Sequence, residues 1–200
     1  MWIVKLGGSL AADPAALPRW LDLLAQLGGG RVTVVCGGGA FADEVRRSQQ
    51  QWQFHDLAAH NMAILAMAQL AYQLNAMNPA LRLTSSKTDI HRVLHKGQTA
   101  LWLPFELQRD RSTAQTNWDV TADSIALELA QRLNAERLVL VKSCAIDPRL
   151  NLAQLTEAGI VDRGFGGLSA GAAFPIDIVR HDEVERIRAL LLGDVRFLVS

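Results

Sequence analysis

Residues 1–9, MWIVKLGGS, and residues 31–39, RVTVVCGGG, decide the fold, because each places a short apolar strand directly before a glycine-rich turn. The second strand is rich in β-branched residues and shows no polar alternation, which is typical of a strand buried on both faces of a parallel sheet. Similar apolar runs predict further strands at residues 81–84, 99–103, 138–142, 175–179 and 195–199.

Helical patterns separate these strands. Apolar residues recur at helical spacing between Gly, Pro, Asp and Thr boundaries, which predicts helices at residues 13–26, 40–50, 54–77, 121–133 and 183–192. Strands that alternate with helices predict an α/β domain, an αβα sandwich with a mostly parallel central sheet. We expect one such domain over residues 1–200, with a mobile loop at the Gly- and Ala-rich residues 162–173.

The composition limits the classes of partner. The chain has 200 residues with 20 basic and 20 acidic side chains, and a neutral surface argues against nucleic acid. The long apolar run at residues 57–77 contains polar residues, so it predicts an amphipathic helix rather than a membrane span. Cys36 and Cys144 are expected as buried thiols in a reducing cytoplasm.

The two glycine turns are candidate anion sites. Gly7, Gly8 and Ser9 follow the first strand, and Gly37, Gly38 and Gly39 follow the second. Glycine lets backbone N–H groups approach an anion closely, and a following helix adds the positive end of its dipole. Either set of glycines, taken alone, is explained about as well by a tight strand-to-helix turn that binds no anion. Lys5 favours an anion site, because it lies two residues before the first turn.

The chain lacks one nucleotide-binding signature and matches another only in a relaxed form. The P-loop pattern is absent, whereas a relaxed dinucleotide fingerprint occurs at Gly37, Gly39 and Ala42. The acid at the expected spacing, Asp56, is predicted to begin a helix instead of ending a strand, so the fingerprint lacks its context. An NAD(P)-dependent oxidoreductase using the Gly37 loop therefore stays an alternative. A non-catalytic nucleotide- or oxyanion-binding protein is the other.

A third group of polar residues lies in the run NWDVTADS, residues 117–124. Thr121 is a good N-cap, so a helix is predicted to begin there. Asp119 and Asp123 would then flank one helix N-terminus, where acids interact favourably with the dipole even without a function.

Lysine is used sparingly, at four positions, and two of the four end strongly apolar strands. Lys5 ends IVK and Lys142 ends LVLVK. A lysine at the end of a buried strand is well placed to act as a point charge on a phosphate.

Four motifs in sequence order, MWIVKLGGSL, VVCGGGAFAD, NWDVTADSIALELA and RLVLVKS, together resemble the amino acid kinase superfamily over nearly the whole chain. The WDVTADS run and the short length resemble a small branch of it, the aminomethylfuran-methanol phosphate kinases of methanofuran biosynthesis in one-carbon metabolism. The resemblance implies ATP-dependent transfer of the γ-phosphoryl group to a small anionic acceptor, a phosphomonoester, with Mg²⁺ on the nucleotide. It also implies a cytoplasmic homo-oligomer.

The resemblance also implies roles for individual residues. Asp119 is expected to hold the catalytic lysines Lys5 and Lys142, with no metal ligand assigned to a protein side chain. The expected ATP-binding residues are Lys5, Gly7, Gly8, Ser9, Thr121, Asp123, Ser124, Lys142 and Asp147, and the expected acceptor-binding residues are Gly37, Gly38, Gly39 and Trp118. Many relatives carry a further catalytic lysine late in the chain, whereas here no lysine follows Lys142. Lys142, or an arginine such as Arg180, is expected to supply that charge.

Overall fold

The structure, a computed structural model, describes residues 1–105 and 118–194. Within these ranges six strands form one sheet in which every neighbouring pair is parallel. The strands are β1 (Trp2–Leu6), β2 (Val32–Cys36), β3 (Leu81–Thr84), β4 (Thr99–Trp102), β5 (Arg137–Lys142) and β6 (Ile176–Arg180). Their order across the sheet is β3-β4-β2-β1-β5-β6, so the predicted parallel sheet is confirmed. The strand expected at residues 195–199 lies outside the described residues.

The described helices connect the strands. They are α1 (Ala16–Leu27), α2 (Gly39–Trp52), α3 (Asp56–Met77), α4 (Lys87–His95), α5 (Ala122–Arg132), α6 (Leu152–Glu157), α7 (Arg163–Ser169) and α8 (Val184–Leu191), with a 3-10 helix at Gly8–Ala12. Helix α7 shows that the loop expected at residues 162–173 is wrong in part. Its sequence, RGFGGLS, is poor in helix formers, but Phe165 is fully buried and anchors the helix in the core.

The sheet has an apolar layer on each face, and successive side chains of β1 point into one layer and then the other. Val4 and Leu6 pack in the layer that contains residues of α1 and α8. Ile3 packs in the opposite layer, with residues of α4 and α5. Because side chains alternate along a strand, Lys5 points to the same face as Ile3, toward α5. Helices cover both faces, as the sequence predicted.

The two cysteines have different environments, and both are free thiols. Cys36 is buried at the end of β2, where its Sγ lies 3.3 Å from the carbonyl oxygen of Met67. Burial raises the pKa of Cys36 to about 12. Cys144 is exposed, so the expectation that both thiols are buried is wrong for Cys144, which lies two residues beyond the end of β5.

The long apolar run at residues 57–77 falls within α3, as predicted. In the part of the chain that the structure describes, no helix combines the length and the apolar character needed to cross a membrane.

The two glycine turns meet at the carboxyl ends of adjacent strands. The N–H of Gly37 donates to the carbonyl oxygen of Leu6 (3.0 Å), which ties the second turn to the end of β1. The backbones then pack so closely that a Cβ on Gly8 would lie 2.5 Å from the nitrogen of Gly39. Gly39 itself has a positive φ of 53°. Glycine is therefore required here by both space and conformation.

We expect Gly8→Ala to destabilise the fold, because the new methyl group must push the two turns apart. Overpacking of this kind costs about 1–3 kcal/mol, which corresponds to a fall in Tm of roughly 3–10 °C in a domain of this size. Gly171→Ala is the matched control, since a Cβ there meets no atom within 4 Å. Thermal unfolding of the two variants and the wild type measures the difference, and equal Tm values would show that the turns can separate freely.

Candidate active site

A buried carboxylate between two lysines forms the centre of the site. Lys5 on β1 and Lys142 at the end of β5 lie on the same face of the sheet, and Asp123 comes from the first turn of α5 above them. The Nζ of Lys5 lies 2.8 Å from Oδ1 of Asp123, and the Nζ of Lys142 donates to Oδ2. The Asp123 side chain is only 4% exposed. Each carboxylate oxygen therefore holds one ammonium group.

The pKa shifts in this trio follow from burial and mutual contact. Burial alone would raise the pKa of Asp123, but Lys5 and Lys142 outweigh it and hold the pKa below its usual value. The pKa of Lys142 is lowered by burial and by repulsion from Lys5, against the opposing attraction of Asp123. With both lysines protonated, the trio carries one net positive charge. Its net charge and its position beside the glycine turns would both favour an anionic ligand.

The trio opens into a cavity of about 1030 Å³ at the carboxyl ends of the central strands. Both glycine turns line it, through Gly8 and Ser9 on one side and residues 37–39 on the other. The Ser9 hydroxyl donates to the Ser143 hydroxyl (3.0 Å), which links the first turn to the residue after β5. The structure thus brings Lys5, Lys142 and both predicted anion turns to one cavity.

Asp119 does not hold the lysines, so that prediction is wrong. Its side chain is 53% exposed, and its Oδ1 lies 3.7 Å from a guanidinium nitrogen of Arg163. The reason is position: Asp119 precedes the N-cap residue Thr121, whereas Asp123 lies within the first helical turn and faces the sheet. Asp119 still lines the cavity at its rim.

A carboxylate that the sequence analysis missed, Asp162, caps α5. Its Oδ2 accepts from the backbone N–H groups of Thr121 (2.9 Å) and Ser124 (3.0 Å) and from the Thr121 hydroxyl (2.9 Å). Its Oδ1 accepts from the Ser124 hydroxyl. Thr121 is the N-cap residue, as predicted, but its own hydroxyl makes no capping bond. Asp162 lies about forty residues further along the chain, so no local pattern indicated this contact.

Two further predicted residues are not brought to the cavity. Asp147 is bound through both carboxylate oxygens by Arg149, at 3.0 Å and 2.7 Å, and is not among the residues that line the cavity. Arg180 is paired with Asp182 and is also absent from the lining. Of the two candidates for the second charge, Lys142 is therefore the one in place.

The cavity wall formed by α2 and α3 carries a chain of polar contacts that includes Trp118, a predicted acceptor-binding residue. The indole N–H of Trp118 donates to Oε1 of Gln49 (2.6 Å), and Nε2 of Gln49 donates to Asp56 (2.9 Å). The guanidinium of Arg46 lies 4.4 Å from the centre of the Trp118 ring, within cation–π range. Arg46, Asp56 and Trp118 all line the cavity. Asp56 begins α3, so the dinucleotide fingerprint lacks its acid at a strand end.

A parallel sheet with two glycine turns and two buried lysines at its carboxyl edge is typical of proteins that handle phosphorylated ligands. The chain belongs to the amino acid kinase family, whose model matches residues 1–145. This confirms the family resemblance found in the four motifs.

One curated protein is similar to this chain in sequence. The [5-(aminomethyl)furan-3-yl]methyl phosphate kinase of Methanocaldococcus jannaschii is 27% identical over 140 residues, which are 70% of this chain and 64% of the relative. The chain therefore matches somewhat less than two thirds of the relative's length.

Solved structures confirm the fold. The uridylate kinase from Archaeoglobus fulgidus superposes with a TM-score of 0.70 at 15% identity, covering 96% of both chains. An isopentenyl phosphate kinase gives a TM-score of 0.62 at 16% identity, covering 97% of both chains. At these identities the likeness concerns the fold, and it confirms the expected αβα sandwich.

We expect Asp123→Asn to lower stability near neutral pH, because two buried ammonium groups lose their counter-charge. Breaking a buried ion pair costs about 3–5 kcal/mol. The folded pKa of Asp123 lies below its unfolded value of about 3.9, so its contribution is complete above that pH and is lost as the pH falls through the folded pKa. Urea unfolding from pH 7 to pH 2.5 measures the difference between wild type and variant. Asp119→Asn, at the exposed rim, is the control. A difference that did not shrink in acid would mean that the Asp123 charge is not what stabilises the trio.

Proposed function

We propose that this protein transfers the γ-phosphoryl group of ATP to a small phosphomonoester of the [5-(aminomethyl)furan-3-yl]methyl phosphate type, which produces a diphosphate. The observation that carries the proposal is the Lys5–Asp123–Lys142 trio, set between two glycine turns in one cavity. Membership of the amino acid kinase family and the name of the curated relative support the reaction class and the acceptor.

The trio fits the electrostatic demands of this transfer. An ATP γ-phosphate and a phosphate acceptor repel each other, and catalysis consists mainly of in-line positioning and charge neutralisation. Lys5 and Lys142 supply two ammonium groups at fixed positions, because the two oxygens of Asp123 hold them apart. The acceptor phosphate is already ionised at neutral pH, so the reaction needs no general base.

The cavity walls suggest where each ligand binds. Backbone N–H groups of Gly8 and Ser9 approach the ATP phosphates, and those of residues 37–39 approach the acceptor phosphate. The ring of the acceptor packs against Trp118, whose orientation is fixed by Gln49 and Arg46. Thr121, Asp123 and Ser124 lie on the nucleotide side, at the start of α5.

Mg²⁺ is expected to enter with the nucleotide. The described residues contain no group of three or more His, Cys, Asp or Glu side chains that could hold a metal ion, and the oxygens of Asp123 and Asp162 are already engaged. The triphosphate oxygens would therefore hold the ion, which supplies further neutralisation of the transferring group.

A cytoplasmic location is part of the same proposal. Cys36 and Cys144 are both free thiols, which suits a reducing compartment, and ATP is plentiful there.

The direct test is turnover of ATP with a panel of acceptors. [5-(Aminomethyl)furan-3-yl]methyl phosphate, UMP, isopentenyl phosphate and amino acids would each be incubated with Mg-ATP, and ADP and phosphorylated products measured. We expect the furan phosphate to give the largest kcat/KM. Binding of NAD without ATP turnover on any acceptor would favour the oxidoreductase alternative, and ATP binding without turnover would favour a non-catalytic protein.

Variants of Lys5 and Lys142 test whether the trio takes part in catalysis. Lys5→Met, Lys142→Met and Lys142→Arg should each lower kcat by about a hundredfold or more, the scale for losing one preorganised charge in a transition state. The guanidinium of Lys142→Arg keeps the charge but is too wide for a point-charge position against Asp123. Lys96→Met, at an exposed position on the end of α4, is the control. Full activity in Lys142→Met would remove Lys142 from catalysis and return the second charge to an arginine.

We also propose that two copies of the chain associate through α3. This helix is apolar on both sides: Ile64, Met67 and Leu74 are buried, while Met62, Leu65 and Tyr72 are exposed by 37%, 42% and 55%. On one side of the helix, exposed residues fall at positions 62, 65, 69, 72 and 76, a spacing of three and four that forms one continuous seam; four of these residues are apolar or aromatic and position 69 is a glutamine, and residues 73 and 77 are exposed beside it. A seam of this kind is complementary to a second copy of itself.

Charged substitutions on the seam should separate the copies. We expect Leu65→Glu and Tyr72→Glu to convert the protein to a monomer at concentrations where the wild type is dimeric, as measured by light scattering after size exclusion. Leu192→Glu is the control, because Leu192 is an exposed apolar residue, at 66%, that lies beyond α8. A wild-type monomer at high concentration, or seam variants that stay dimeric, would contradict the proposal.

A further inference from the structure

The turn around Asp162 is docked on the start of α5. Besides the four hydrogen bonds that Asp162 accepts, the N–H of Gly164 donates to the carbonyl oxygen of Asp119 (2.7 Å). A Cβ on Gly164 would lie 2.7 Å from Val120 and 3.0 Å from that carbonyl oxygen. The two segments are therefore in backbone contact, and their relative position is tightly defined.

Asp162 supplies the hydrogen-bond acceptor that α5 lacks at its own N-terminus. The first turn of an α-helix leaves backbone N–H groups without partners, and the N-cap side chain usually accepts one of them. Here the Thr121 hydroxyl donates to Asp162 instead of capping, and Asp162 accepts from the N–H groups at both ends of the turn. A carboxylate at this position also interacts favourably with the positive end of the helix dipole.

Asp123 lies within this same turn, between Thr121 and Ser124. Its carboxylate projects to the opposite side, where it holds Lys5 and Lys142. The position of the Asp123 carboxylate over the two lysines therefore depends on how the turn is seated. Asp162 fixes the residues on both sides of Asp123, so it controls that seating through its hydrogen bonds to Thr121 and Ser124.

We propose that Asp162 is a positioning residue for phosphoryl transfer, which seats the first turn of α5 so that Asp123 holds Lys5 and Lys142 at the separation the reaction needs. This inference rests on the proposed kinase function. It assigns a role to a residue outside the four sequence motifs.

Besides its hydrogen bonds, the negative charge of Asp162 favours the protonated form of Lys142. Three charged groups face Lys142: Lys5 from β1, Asp123 from α5 and Asp162 from the turn before α7. Burial and Lys5 lower the pKa of Lys142, while Asp123 and Asp162 oppose that effect. Asp162 thus helps Lys142 to stay protonated, but geometry is its main contribution.

Two substitutions separate geometry from charge. Asp162→Asn keeps an oxygen that can accept from Thr121 and Ser124 but removes the charge, whereas Asp162→Glu keeps the charge but displaces the carboxylate by one methylene. We expect kcat of Asp162→Asn to stay within about threefold of wild type, and that of Asp162→Glu to fall about tenfold or more, with KM for ATP changed less than kcat. In Asp162→Asn the alkaline limb of the kcat–pH profile should move to lower pH.

Asp13→Glu is the matched control, because Asp13 accepts from the backbone N–H groups of Ala15 and Ala16 at the start of α1 and is not itself among the residues that line the cavity. It should lose comparable stability and keep its kcat. The positioning role is overturned if Asp162→Glu turns over within twofold of wild type, or if Asp162→Asn loses more activity than Asp162→Glu.

A readout without turnover keeps this inference separate from the proposed function. The chain has only four lysines, so ¹⁵N-labelled lysine gives four side-chain signals in NMR. In Asp162→Glu the Nζ signals of Lys5 and Lys142 should lose their protection from solvent exchange, while those of Lys87 and Lys96 stay unchanged. Unchanged Lys5 and Lys142 signals would refute positioning whatever the activity. Altered signals in a protein whose wild type phosphorylates no acceptor would refute the proposed function alone.

Discussion

The structure depends on one buried carboxylate that balances two buried ammonium groups. An unpaired charge in a protein interior costs several kcal/mol. The fold is therefore stable only if it brings together the charged groups of Asp123, Lys5 and Lys142. That requirement links three elements that are far apart in sequence: β1, β5 and the start of α5. Register between β1 and β5, which places Lys5 opposite Leu140, sets the two lysines one pleat repeat apart on the same face.

The glycine turns follow from the same arrangement. Because β1, β2 and β5 are adjacent and parallel, their carboxyl ends meet at one edge, and the turns that leave β1 and β2 must pass each other there. Only a backbone without side chains allows the contact between Gly8 and Gly39. The close packing leaves N–H groups and ammonium groups around one cavity, an arrangement that favours an anionic ligand at this edge.

The sequence predicted the sheet because its strands are continuous apolar runs, and it predicted Lys5 and Lys142 because a charge ending such a run is unusual. The sequence-based prediction chose Asp119 instead of Asp123 as the acid that holds the lysines: both flank one helix start, and only the seating of that turn shows which acid faces the sheet. Helix α7 was missed because Phe165, through tertiary packing, overrides a glycine-rich local sequence. Asp162 and Arg46 were missed because their contacts, with Thr121, Ser124 and Trp118, join segments distant along the chain.

Lys142, which carries the second positive charge of the trio, lies on a strand and not on a loop. A lysine carried by a loop can be withdrawn when the loop moves, whereas Lys5 and Lys142 both stand on central strands with buried neighbours. If they act on a transferring phosphoryl group as proposed, their positions are fixed by the sheet, which is the condition for electrostatic preorganisation. Trp118, which is proposed to contact the acceptor, lines the same cavity from the wall formed with α2, and is not part of the trio. Under the proposed function, the chemistry would therefore depend on the lysines of the sheet, and the choice of acceptor on the wall around Trp118.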